Sequence, residues 1–100
     1  MRRTYQQLIT EDRRLVVLRA LAEDQGYSHN ESILQSILKM YGHQISRDQV
    51  RALISWLEEQ DLVSVEKVGE LMVAKLNGRG ADVANGSATV PGVKRPAPKG

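Results

Sequence analysis

The chain has 100 residues, with fourteen Lys and Arg against twelve Asp and Glu and no Cys. That length supports one small domain, in which roughly 60–65% of the unfolded surface becomes buried. The lack of Cys excludes disulfides, thiolate metal sites and cysteine nucleophiles, and no apolar run reaches the roughly 18–20 residues that span a bilayer.

Charge is unevenly distributed. Residues 1–76 carry ten Lys and Arg against eleven Asp and Glu, while residues 77–100 carry Arg79, Lys94, Arg95 and Lys99 against Asp82 alone. The body is therefore near neutral and the basic excess lies at the C-terminal end. A strongly basic nucleic-acid footprint over the body is absent. Arg2 and Arg3 precede no apolar stretch of the kind found in a secretory signal, so an intracellular protein without a membrane partner is expected.

The first nine residues are mixed, with Leu8 and Ile9 as a lead-in. Thr10 is a good N-cap, followed by Glu11 and Asp12 where the helix dipole favours acids. Leu15, Leu18, Leu21 and Ala22 then mark an apolar stripe, so a helix is expected near 10–24, closed by Gly26 in a left-handed cap. Ser28 and Glu31 have capping-box spacing and open a second helix near 29–41, through Ile33, Leu34, Ile37, Leu38 and Tyr41 to Gly42.

The next stretch is the most informative. Ser46 and Gln49 form another capping box, and Val50, Leu53, Ile54 and Leu57 recur at helical spacing, predicting a third helix near 46–60. After Asp61 the apolar period changes from 3.6 to 2. Strands are expected near 62–67 and 71–76, joined at Gly69-Glu70, with Val63 and Val65 on one face and Leu71 and Val73 on one face. Asn77 can cap a short helical segment to Ala84, which Gly78 and Gly80 weaken by roughly 1 kcal/mol each relative to Ala.

From Asn85 onward Gly, Pro, Ser, Thr and Lys predominate. The expected organisation is a folded domain over 1–86 and a flexible basic tail over 87–100. Helix, turn, helix and hairpin in this order predict a mainly α fold with a small β-hairpin, a winged helix-turn-helix. The expected core includes Leu15, Leu18, Leu21, Leu34, Leu38, Val50, Leu53, Leu57 and Val73.

A catalytic reading finds little support. His29 and His43 each adjoin a helix terminus and read as solvated turn residues, and no acidic pair at metal spacing accompanies them. Glu58-Glu59 and Glu11-Asp12 are adjacent carboxylates that diverge on a helix. Gly78-Arg79-Gly80 lacks the glycine pattern and the Lys-Ser/Thr of a phosphate loop. No enzyme activity, cofactor or metal is expected.

A helix-turn-helix commonly presents the N-terminal half of its second helix to the major groove. Ser46, Arg47, Gln49, Arg51 and Ser55 fall off the apolar stripe there. Arg suits guanine, Gln adenine, and Ser a phosphate or base edge. Plain surface positions explain the same residues equally well, because Asp48, Glu58, Glu59 and Asp61 make residues 46–61 acidic and would repel phosphate from the C-terminal half. On the wing, Lys67 and Lys75 suit phosphate, whereas the tip carries Glu70. Lys94, Arg95 and Lys99 suit a basic arm. Trp56 is expected in the core against the wing.

Glu11-Asp12-Arg13-Arg14-Leu15-Val16-Val17-Leu18, Asn30-Glu31-Ser32 with Leu34, Ser46-Arg47-Asp48, Trp56-Leu57-Glu58-Glu59-Gln60 and Ala88-Thr89-Val90-Pro91-Gly92-Val93-Lys94-Arg95-Pro96 are the segments that carry a resemblance. The chain resembles, over nearly its whole length, a family of short proteins of Mu-like transposable phages and prophages described as winged-helix or ArsR-like. The resemblance implies a winged-helix fold, a place in the host cytoplasm and DNA-binding regulation; with no Cys present, the ArsR likeness implies fold and not metal sensing. The expected function is non-enzymatic binding of double-stranded DNA by the helix at 46–60 and the basic tail, as a homodimer that matches operator symmetry and pairs through the N-terminal segment. The alternative is a winged-helix adaptor for a phage or host protein, in phage assembly or host takeover.

Overall fold

The structure is a computed structural model that describes residues 2–97. A helix over Tyr5–Glu23 (α1) leads to a short strand at Ser28–Asn30 (β1), then helices at Glu31–Met40 (α2) and Arg47–Glu59 (α3). Strands at Val63–Val68 (β2) and Leu71–Leu76 (β3) form a hairpin, and a helix over Gly78–Asn85 (α4) follows. The sheet is antiparallel, with β3 between β1 and β2. This is a winged-helix arrangement: a three-helix unit and a β2–β3 wing.

α1 begins six residues before the position expected from Thr10. The N-terminal cap is Thr4, whose hydroxyl oxygen accepts from the Gln7 N–H while the Gln7 side-chain oxygen accepts from the Thr4 N–H, a complete capping box. The first turns give no apolar stripe because residues 4–8 are exposed. α1 ends at Asp24, and the left-handed residue in the following turn is Tyr27, not Gly26.

Residues 28–30 form a strand, not the start of a helix, and the cap of α2 is Asn30, whose side chain accepts from the Ile33 N–H. β1 sets Ser28, His29 and Asn30 opposite Lys75, Ala74 and Val73 of β3. The sequence gives no apolar alternation over these residues; pairing with the free edge of β3 supplies the backbone hydrogen bonds.

The ends of α2 and α3 are built alike. At α2, Gly42 is left-handed, its N–H donates to the Lys39 carbonyl, and the His43 N–H donates to that of Leu38. At α3, Asp61 takes the left-handed position, donating to Glu58, while Leu62 donates to Leu57. Both are Schellman closures, which satisfy the last carbonyls and send the chain off sharply. α3 starts as expected, with Ser46 and Gln49 in a reciprocal capping box.

Leu18, Leu21, Leu34, Leu38, Ile54 and Leu57 are fully buried and form the centre of the core; Leu15, Val50 and Leu53 join them. Val73 does not. Val63 pairs with Leu76 and Val65 with Ala74, so the inner face of β3 carries Met72, Ala74 and Leu76. A strand alternates strictly, and a one-residue error in choosing the inner face moves Val73 to the half-exposed side. At the hairpin tip Gly69 has φ 63°, as a two-residue turn between Val68 and Leu71 requires.

The segment after residue 86, expected to be a flexible tail, lies against the body over 87–97. Val90 and Val93 are buried, and the Lys94 N–H donates to the Glu11 carbonyl. Gly92, at φ 99°, passes so close to Trp56 that a Cβ there would meet the ring at 2.7 Å. Trp56 is half-buried between α1 and the C-terminal segment, packed against the core, with the Arg14 guanidinium 3.7 Å above the ring centroid. Lys99 falls outside the described residues.

Candidate nucleic-acid interface

Glu31, the first residue of α2, is the centre of the arrangement. Its carboxylate is 0% exposed, an unusual place for an acid. Arg51 Nε donates to Oε1 at 2.7 Å, Arg47 approaches the same oxygen at 3.5 Å, and the Met72 backbone N–H donates to Oε2 at 2.6 Å. Arg47 Nε also donates to the Gln35 side-chain oxygen at 2.9 Å. Burial pushes the Glu31 carboxyl up; the hydrogen bonds from Met72, Arg51 and Arg47 outweigh it, and the group sits below the ordinary carboxylate range.

One carboxylate thus joins three elements: the N-terminus of α2, two residues one turn apart on α3, and the inner strand of the wing. Arg47 and Arg51 stay partly exposed. Each engages Glu31 through part of its guanidinium. A guanidinium has five N–H donors, so each arginine keeps donors that Glu31 does not take. Lys67 lies directly across the hairpin from Met72 and is exposed. These bonds gather Arg47 and Arg51 at Glu31, and Lys67 lies one strand further on, on β2.

Other expected site residues have different surroundings. Ser46 and Gln49 are exposed, but the Ser46 hydroxyl and the Gln49 side-chain oxygen serve the helix cap, leaving the Gln49 amide nitrogen for a ligand. Ser55 is half-buried on α3.

Lys94 and Arg95 do not join the Arg47 side. They sit in the segment docked on α1, whose contact with α3 is at Trp56, nine positions and hence half a turn around the helix from Arg47. Lys94 Nζ is 3.3 Å from Asp12. That aspartate also accepts from His43 Nε2 at 2.7 Å, while His43 Nδ1 accepts from Arg13 Nε at 3.3 Å. His43 is buried, contrary to the expectation of a solvated turn residue. The Schellman closure after α2 aims it at α1. Burial pushes the Asp12 carboxyl up, and the hydrogen bonds from His43 and Lys94 outweigh it, leaving the group below its ordinary value.

Glu31 and His43 escaped the sequence reading. Glu31 read as the capping-box partner of Ser28, with nothing to mark it as buried; it is the first residue of α2, behind the Asn30 cap. Their partners lie twenty and thirty-one residues away, with no local signature.

Among the described residues no group of three or more His, Asp or Glu side chains is arranged to hold a metal ion. Among the described residues no helix is long and apolar enough to cross a membrane.

No protein-family profile matches the chain, and no solved structure matches it. Two relatives do. Uncharacterized protein gp26 of Escherichia phage Mu is 55% identical over 92 residues, which cover 92% of this chain and 95% of the relative. An uncharacterized protein of Haemophilus influenzae is 52% identical over 77 residues, covering 76% of this chain and 74% of the relative. On identity and coverage of that extent, the chain belongs to the family of the phage Mu protein gp26.

Proposed function

We propose that this phage protein is a non-enzymatic, regulatory DNA-binding protein of the host cytoplasm that reads duplex DNA with the N-terminal half of α3 and steadies itself with the β2–β3 wing. The observation that carries the reading is the double tether of Arg47 and Arg51 to buried Glu31, with Met72 of the wing on the same carboxylate. An arginine held at one edge loses little further side-chain freedom when the other edge meets a guanine. Bound through the same carboxylate, the wing keeps a fixed distance from α3, so Lys67 can meet a phosphate while the arginines face base edges.

The charge distribution sets the expected strength. Glu31 offsets one of the two arginines, and Glu58, Glu59 and Asp61 make the C-terminal end of α3 repel phosphate. Affinity for arbitrary duplex should be low, and useful binding should depend on base contacts. Lys94 and Arg95 have no part in this reading, because they lie on the α1 side.

The test is NMR titration of the labelled full chain with fragments of its own phage genome. Shifts concentrated at residues 46–55 and 66–72 support the reading. Shifts confined to α1 or the C-terminal segment, or none with any fragment, defeat it.

A further inference from the structure

α1 has two different halves along one face. Its first turns carry exposed apolar side chains, Tyr5 at 73% and Leu8 at 50%, and Ile9 is half-buried beside Val93 and Lys94 of the C-terminal segment. Its C-terminal half forms the floor of a groove of about 480 Å³ through Val16, Ala20 and Glu23, with Met40 and Tyr41 of α2 along one wall. Those wall residues are 81% and 62% exposed. Apolar groups gathered this way on a small protein mark an interaction surface.

We infer that the groove receives the N-terminal half of α1 from a second copy of this chain, so that two α1 helices cross-pack antiparallel about a two-fold axis. Tyr5, Ile9, Asp12, Val16, Ala20 and Glu23 recur at three- and four-residue spacing and share one face. An antiparallel register that sets Ile9 against the partner's Val16 also sets Tyr5 against the partner's Ala20, a large side chain over a small one. It brings the residues before the helix, Arg2 and Arg3, near the partner's Glu23 and sets Asp12 opposite the partner's Arg13. Every pairing is repeated by symmetry, as a self-complementary interface requires. Charge argues for a copy of the same chain: the exposed end begins with Arg2 and Arg3, and the groove carries Asp12, Glu23 and Asp24 against Arg19 and Lys94. Met40 and Tyr41 close over the inserted helix.

This interface does not depend on what α3 binds. Light scattering of the full chain at micromolar concentration should give twice the chain mass of 11.2 kDa. Tyr5→Glu with Leu8→Glu alters only exposed side chains and should return the mass to one chain with unchanged circular dichroism. Because the protein has no Cys, a cross-link reads the register directly. Ile9 and Val16 of one helix are about 10 Å apart along its axis and cannot be bridged internally. The double variant Ile9→Cys with Val16→Cys should form a covalent dimer on oxidation, and each single variant should not. A monomer at all concentrations, a dimer indifferent to the Tyr5 and Leu8 changes, or cross-linking no greater in the double than in the singles would overturn the proposal; the first of these would give the groove to a different protein.

Discussion

Arg51 Nε lies 2.7 Å from a carboxylate oxygen of Glu31, a residue twenty positions earlier in the chain and fully buried. The pair fixes the relation of α3 to α2, and through the Met72 N–H it fixes the wing as well. Replacing Glu31 by Ala orphans that N–H in a site sealed from water. A loss of about 1–3 kcal/mol in unfolding free energy is expected, and denaturant titration measures it. Glu31→Gln keeps an acceptor for Met72 and should lose less.

Acid should expose the same network. Glu31 and Asp12 both titrate below their ordinary values of 4.5 and 3.8 in the folded protein, so the folded state binds fewer protons than the unfolded one. Their stabilisation is complete above those ordinary values and is lost as pH falls through the lower folded values. Unfolding midpoints measured from neutral pH downward should hold steady until about pH 4.5 and then fall. In Glu31→Gln the fall should be shallower; an identical acid limb would mean that Glu31 is not paired.

The two glycines of α4 should respond in opposite directions. A Cβ on Gly78 meets open space, and Gly78→Ala should stabilise by about 0.4–1 kcal/mol through lost freedom of the unfolded chain. A Cβ on Gly80 would lie 2.1 Å from the Leu62 carbonyl oxygen, so Gly80→Ala forces α4 away from the hairpin. A cost of at least about 1–3 kcal/mol follows. Thermal denaturation of the two variants checks the pair.

Removing residues 87–100 should destabilise the protein, because Val90 and Val93 are buried and each is worth about 1.5–3 kcal/mol when fully sequestered. Trp56 fluorescence reports the event directly: losing Gly92, and with it the carbonyl that holds Arg14, opens the indole to water, and emission should shift to the red. An unchanged midpoint and spectrum would mean that the segment is not held on the body.

The contrast between Gly80 and β1 shows where the sequence stops being readable. α3 was legible in full, because Ser46, Gln49 and the Val50-Leu53-Ile54-Leu57 stripe are local signals that agree. Ser28-His29-Asn30 carries no strand pattern of its own; it becomes a strand because β3 has an edge to pair with, a fact about residues forty-five positions away. Gly80 read as a weak point in a helix, and its reason is a backbone approach at Leu62. The C-terminal segment has a disordered composition, yet two valines and one glycine suffice to dock it on a surface that the sequence does not reveal. For the site, the types Arg47, Arg51 and Lys67 were visible, but the carboxylate that holds the two arginines was not.

The proposed function places Arg47 and Arg51 on DNA. Its most direct measurement is the affinity of the full chain for its own phage fragments over a salt series, compared with Arg47→Ala and Arg51→Ala. Each phosphate neutralised contributes roughly 0.9 to the log–log slope, so the wild-type slope should be shallow, on the order of 3–5 for a dimer. Either arginine variant should lose affinity for the preferred fragment by roughly 1–3 kcal/mol and with it the preference over random duplex. Lys94→Ala with Arg95→Ala should leave both slope and preference unchanged. Equal affinity in the wild type and both arginine variants, with no fragment preferred over random duplex, would contradict the account.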